Sequence, residues 1–183
     1  MIFGVIKQHR RLGNGVRIAC LTLALLTTGA SCVAAQTIDC EIDNAALRVM
    51  PKSLVTFTRQ DGSQFAVEVK TAKNSRSRAA GFQRVCESTV EQEPMLFLFD
   101  REFMPKFHMN NVVAPLAIAF FTKKGVIKSI QTMQPYVVAS LKKPLYGPSV
   151  PVLGALEGHI DFFGKHKLNT KSTMRWQALS VSK

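Results

Sequence analysis

Apolar and polar positions alternate over short stretches along most of the chain, and this period of two predicts strands rather than helices. From Ser53 to Arg59, Leu54, Thr56 and Thr58 fall on one side and Val55 and Phe57 on the other. The turn Gln60-Asp61-Gly62-Ser63 follows, with the Asp-Gly pair that favours hairpins. Phe65, Val67 and Val69 then face one way while Gln64, Glu68 and Lys70 face the other, so the two runs predict a β-hairpin. Met95-Leu96-Phe97-Leu98-Phe99 and Leu116 to Phe121 (LAIAFF) are continuous apolar runs of strand length, expected to be buried on both faces. Lys123-Lys124-Gly125 turns the chain into Val126 to Ile130, a second hairpin.

Between these runs the periodicity breaks. Ala72 to Ala80 predicts a short helix capped by Asn74 or Ser75 and ended by Gly81 in the left-handed conformation. Glu91 to Pro94 is expected to be a polar loop, and Pro135 to Pro151, with four prolines, a long surface loop. Val152 to Leu156 predicts a strand, Gly158 to His166 a short helix or turn, and Met174 to Val181 a last strand. The sum is a mainly β protein, a compact single-domain β-sandwich or barrel-like fold with one or two short helices. No internal repeat and no βαβ nucleotide pattern is present.

The first 35 residues follow a different rule. Lys7, Arg10, Arg11 and Arg17 precede an uncharged apolar run, Ile18 to Leu26, and Val33-Ala34-Ala35 places small residues before Gln36. This order predicts a secretory signal peptide over residues 1–35, cleaved between Ala35 and Gln36. The apolar run is about half of the ~20 residues needed to span a bilayer, so no transmembrane helix is expected to be retained. Two variants are weaker: Cys32 as a lipidated cysteine, and Arg10-Arg11 as a twin-arginine signal. The expected location is periplasmic or secreted. The mature chain would comprise an N-terminal segment, 36–52, and one β-rich domain, 53–181.

Export changes the reading of cysteine and charge. Cys20 and Cys32 would leave with the signal, and an oxidising compartment favours a bond between the remaining pair, Cys40 and Cys86. Residues 36–102 carry 9 basic and 10 acidic side chains, whereas residues 103–183 carry 11 and 2, a net +9. Such a surface suits an anionic envelope component or an acidic envelope protein, or serves solubility alone. Nucleic acid is not expected, because no nucleic-acid motif accompanies the charge.

Several segments recur in the order of an exported family. Residues 70–83 (KTAKNSRSRAAGFQ), Pro94 to Phe99, Phe107-His108-Met109-Asn110-Asn111-Val112, Ala114-Pro115-Leu116-Ala117, Lys124-Gly125-Val126 and Ala155-Leu156-Glu157 follow one another. This chain thereby resembles the domain of unknown function 192 family over about residues 53–176. That family looks like an A-x-T-x-x-x-R-x-x-G-L-M helix, G-M-L-F-x-F, F-W-M-K-N-T, I-P-L-D, a D-x-x-G-x-V hairpin and a V-L-E strand. The departures are specific: His108 stands for the Trp, Asn110 for the Lys, Val112 for the Thr and Ala117 for the Asp. Leu168-Asn169 replaces a late Gly-Asp, and Asn111 and Glu157 remain among the polar positions. The resemblance implies a single β-rich domain and carries no established activity.

No nucleophile elbow, zinc helix, P-loop or dinucleotide fingerprint occurs, and no cofactor is implied. His159, Asp161 and His166 could meet a transition metal if one helix carried them, but Gly164 weakens that helix, and a solvated basic segment is the simpler expectation. No metal site is therefore expected. His108, Asn110 and Asn111 make a neutral hydrogen-bonding cluster beside a buried strand, suited to a carboxylate, carbonyl or sugar. The simpler reading has His108 satisfied by backbone and the two amides closing a turn. Glu157 follows an apolar strand; it either orients a ligand or, more simply, pairs with a lysine. Phe97, Phe99, Phe120 and Phe121 are expected in the core.

The leading functional expectation is a non-catalytic ligand- or partner-binding module of the cell envelope, with His108, Asn110, Asn111 and Glu157 as candidate ligand-binding residues. The alternative is an envelope enzyme acting on a glycan or small metabolite, with His108 and Glu157 as acid and base. A purely structural subunit would instead expose a large apolar patch.

Overall fold

In the computed structural model, residues 39–42, 45–136 and 141–180 are described. The expected signal peptide, its Ala35–Gln36 junction, Cys20 and Cys32 lie outside the described residues. Seven strands form one mixed sheet: β1 (Lys52–Thr58), β2 (Gln64–Ala72), β3 (Met95–Phe103), β4 (Leu116–Phe121), β5 (Ile127–Met133), β6 (Val152–His159) and β7 (Thr173–Ala178). Their order across the sheet is β5-β4-β6-β3-β2-β1-β7. Four short helices accompany them: α1 (Ala45–Val49), α2 (Ser75–Ala80), α3 (Glu87–Gln92) and α4 (Phe162–Lys165). Among the described residues, no helix is long and apolar enough to cross a membrane.

The mainly β class is as the alternation indicates, and of the two expected architectures the barrel-like one is realised, as a single curled sheet that does not close. Phe121 on β4 meets Trp176 on β7 with ring centroids 5.1 Å apart, although four strands lie between them in the sheet. The two edges touch through an isolated bridge, Val126 to Thr173, and the Met174 N–H donates to the Gly125 carbonyl at 2.8 Å. A side chain at Gly125 would sit 1.8 Å from the Met174 carbonyl oxygen, and its φ is +75°, so this approach requires glycine. The Ile127 N–H also donates to the Ser172 carbonyl at 3.4 Å, but among the described residues β5 and β7 form no continuous ladder, so the curl stops short of closure.

The first hairpin forms as its pattern predicts. β1 pairs antiparallel with β2 from Lys52–Lys70 to Thr58–Gln64, with Val55 and Phe57 buried. In the turn, Asp61 accepts from the Ser63 N–H at 2.9 Å and its hydroxyl at 2.6 Å, and these bonds hold its carboxyl below its ordinary pKa. β2 and β3 are parallel, which needs a crossover, and α2 and α3 supply it. Sequence reasoning missed α1 and α3. Residues Glu91 and Gln92, expected in a loop, close α3, whose Val90 packs into the core. Asn74 caps α2 in a reciprocal box with Ser77. Gly81 ends that helix at φ +48°, but its ψ of −138° is extended rather than left-handed helical.

Strand β6 runs to His159, past the expected end at Leu156, so Gly158 and His159 belong to the sheet and only Phe162–Lys165 is helical. β6 is held on both sides, by β3 and by β4, which extends it through a segment whose composition looks like a turn.

The sheet separates two cores. In β4 every residue is buried. Leu116, Ile118 and Phe120 pack with α1, α3 and the segment after β3, whereas Ala117, Ala119 and Phe121 pack inside the curl with Phe57, Leu156 and Phe162. Cys40 and Cys86 form a disulfide, with Cα atoms 4.9 Å apart. It ties the segment before α1 to the start of α3, beside the Glu41–Val85 bridge.

Candidate functional site

Glu157 lies in the middle of β6, the central strand between β3 and β4, where it is paired in register with Met95 and Ile118. Both neighbours belong to the helix-covered core, so the carboxyl points to an apolar face. The residue is 5% exposed. Among the described residues, its side chain has no ion pair and no hydrogen bond. Burial alone pushes its pKa up to about 8, so at neutral pH the group is mostly a neutral acid. The lysine pairing expected as the simpler role for Glu157 is not formed among the described residues.

Glu157 lines a cavity of about 220 Å³. The other walls come from α2 and its exit (Arg78 to Gln83), from β3 (Phe97, Phe99, Phe103), from the segment after it (Pro105 to His108), and from Val112 and Leu116. Five phenylalanines, Phe82, Phe97, Phe99, Phe103 and Phe107, thus surround one unpaired carboxyl. Phe97 and Phe107 meet edge to face at 5.1 Å, and Phe99 and Phe103 at 4.7 Å, which fixes the ring planes. The expectation that Phe97 and Phe99 belong only to the core therefore needs correction: both also line the cavity, while Phe120 and Phe121 are fully buried. Continuous apolar runs do not distinguish a core wall from a cavity wall.

The cationic groups on this cavity are Arg78 and Lys106. Arg78 donates to the carbonyls of Lys73 (2.8 Å) and Leu98 (3.0 Å), and its guanidinium lies over the Phe99 ring at 5.5 Å. Neither forms an ion pair with Glu157 among the described residues. Arg101 adds a further cation to a groove that shares Arg78, Phe99 and Phe103 with the cavity.

The four predicted ligand residues separate. His108 and Glu157 both line the cavity. His108 is exposed, and its Nδ1 accepts the Asn110 backbone N–H at 3.3 Å, which leaves the proton of the neutral ring on Nε2. Asn110 and Asn111 do not line it. Asn111 takes φ +55° and its carbonyl accepts the Arg84 N–H at 2.7 Å, a turn role suited to asparagine. Its amide also donates to the cavity-lining Gln83 at 3.1 Å, so it supports a wall from behind.

His159 and His166 are not brought together. His159 is held by Glu87 on α3 at 3.3 Å, with Glu91 and Asp161 within 3.9 Å. His166 stacks on Phe65 at 4.5 Å, and burial, Lys165 and Arg59 lower its pKa. Among the described residues, no group of three His, Cys, Asp or Glu side chains is placed to hold a metal ion. Large exposed apolar side chains include Phe103 and Met104 after the cavity wall, Leu141, Leu145 and Val150 in the following loop, and Ile42 and Val49 near the start.

These features define a class: a β-rich domain built on one curled mixed sheet, with a buried acid on its central strand opening into an aromatic cavity. Comparison with known proteins gives the family. The profile of the family described as "Uncharacterized ACR", domain of unknown function 192, matches residues 56–176, and the chain belongs to it. No curated protein compared with the chain matches it. Among solved structures it is similar to a protein from Sinorhizobium meliloti 1021 described as a proposed transcription regulator. That match has 19% identity and a TM-score of 0.62 over 69% of this chain and 95% of the other. It is also similar to a protein of unknown function from Novosphingobium aromaticivorans DSM 12444. There the identity is 23% and the TM-score 0.60, over 74% of this chain and 99% of the other. At these identities the likeness concerns the fold alone.

Proposed function

We propose that this chain is an exported, non-catalytic binding module that takes a small ligand into the Glu157 cavity. The carrying observation is the unpaired acid on the central strand, facing a preformed aromatic space. A buried carboxyl without a partner costs several kcal/mol unless something satisfies it. A leucine or methionine there would stabilise the sheet, so a ligand is the natural reason to keep an acid. Export is supported by the tripartite pattern of residues 1–35 and is consistent with the Cys40–Cys86 disulfide. The basic second half would hold the module near anionic envelope components.

Native mass spectrometry of protein recovered from the compartment to which it is exported tests this reading. The expected result is an oxidised chain starting at Gln36 with a co-purifying small molecule, lost in an Ala80→Phe variant that fills the cavity. A wild type that carries nothing, and whose cavity resonances respond to no member of a fragment library, would refute it.

One observation favours a second reading. Glu157, a neutral acid near physiological pH, shares its cavity with the imidazole of His108, as an acid–base pair would. That enzyme reading requires a turnover that both His108→Ala and Glu157→Gln abolish with the fold intact.

A further inference from the structure

Resting on the binding reading above, we infer that the Glu157 cavity is built for a small organic ammonium ion whose other end is anionic. Three observations lead there. The walls offer phenylalanine rings, whose π faces attract cations, and the Phe99 ring already carries one in Arg78. The one acid on these walls is Glu157, buried and unpaired. The opposite charge is also present: Arg78 and Lys106 line the same cavity, and neither forms an ion pair with Glu157 among the described residues. An unpaired acid and two bases on the walls of one aromatic cavity match a ligand with a positive and a negative end.

Binding such an ion exchanges a cation for a proton. Free Glu157 is a neutral acid; the incoming ammonium takes the place of its proton as counter-charge, and the proton leaves to the buffer. No bond other than O–H breaks. With a pKa of about 8, roughly nine-tenths of the sites carry that proton at pH 7, so nearly one proton is released per ion bound. The other titratable or charged groups around the cavity are Arg78 of α2, Lys106 and His108 of the segment after β3, and, two residues along β6, His159 with Glu87 and Glu91 of α3. Glu157→Gln removes the Glu157 contribution and leaves these in place.

The test uses phosphocholine and phosphoethanolamine against 3,3-dimethylbutyl phosphate, which keeps the anion and the shape of phosphocholine but lacks the positive charge. Titration calorimetry at pH 7 in two buffers of different ionisation enthalpy counts protons, and amide NMR locates the site. The expected result is binding of an ammonium probe at least ~10-fold tighter than the isostere without the cation, release of close to one proton, and loss of both preferences in Glu157→Gln. Equal binding of the isostere without the cation, or binding without proton release, overturns the ammonium assignment while leaving the cavity as a binding site. If none of the three probes shifts cavity resonances, the assignment fails. The binding reading itself falls only if the native protein also carries no ligand and the wider fragment library gives no response.

Discussion

The buried acid makes a sharp prediction about stability and pH. In the unfolded chain Glu157 titrates near the ordinary glutamate value of 4.5; in the native sheet burial pushes it up to about 8. Between those values the unfolded state has lost its proton and the native state has kept it. The sign follows: this carboxyl's titration penalises folding least below about pH 4.5, and the penalty grows as pH rises to about 8. Each unit is worth about 1.4 kcal/mol, so the full change is about 5 kcal/mol, a large share of the stability of a domain this size. Glu157→Gln keeps the shape and has no proton to lose. Urea denaturation of both proteins at pH 4.5, 6, 7, 8 and 9, with the disulfide intact, isolates this term because other titrations cancel in the difference. The variant should gain on the wild type by about 1.4 kcal/mol per pH unit through the interval and level off above pH 8. A pH-independent difference would refute the reasoning. A wild type that gains on the variant as pH rises would show that the native carboxylate is ionised and paired.

Other predictions concern how the cavity is held. Gly154→Ala places a methyl group 2.4 Å from the Phe121 ring and from the Phe97 carbonyl, so it should cost about 1–3 kcal/mol in thermal unfolding and disturb the cavity wall at Phe97. Replacing Cys40 and Cys86 with serine releases a bridge separated by 46 residues and should cost about 4 kcal/mol by denaturant unfolding, under the loop-entropy account. Asn74→Ala breaks the reciprocal cap of α2 and should cost about 1 kcal/mol. Because α2 supplies Arg78 to Ala80, the same variant should show faster amide exchange in that wall.

How much of this was legible in the sequence depends on the kind of signal. Local periodicity gave β1, β2, β4 and β5, because alternation and turn chemistry are decided by neighbours along the chain. It also placed the α2 cap at Asn74, since a cap needs only its own first turn. Where partners far along the chain decide, the reading stopped short. His159 looks like part of a turn but is held in β6 opposite Leu116. α3 has good helix formers in Glu87, Glu91 and Gln92, but its six residues with β-branched Thr89 and Val90 are too short for a periodic pattern, and it is recognisable only once Val90 packs into the core. The curl of the sheet depends on contacts such as Phe121 with Trp176, which no local pattern records.

The site divides along the same line. Glu157 and His108 could be singled out because an acid ending an apolar strand and an imidazole between Phe107 and Met109 are locally odd. Asn110 and Asn111 are equally polar, yet the backbone claims Asn111 for a turn and leaves both off the cavity wall. The aromatic walls were hidden for the opposite reason: Phe97 and Phe99 look like ordinary core, and only the folded chain sets them beside α2 and its exit on one cavity. An acid in the third dimension is read by what it fails to meet. β3 and β4 bring Met95 and Ile118 to Glu157, and no described cation follows. A pairing in the folded chain would have closed the question within the protein; none forms among the described residues, and that is the ground on which the proposed ligand is sought by titration.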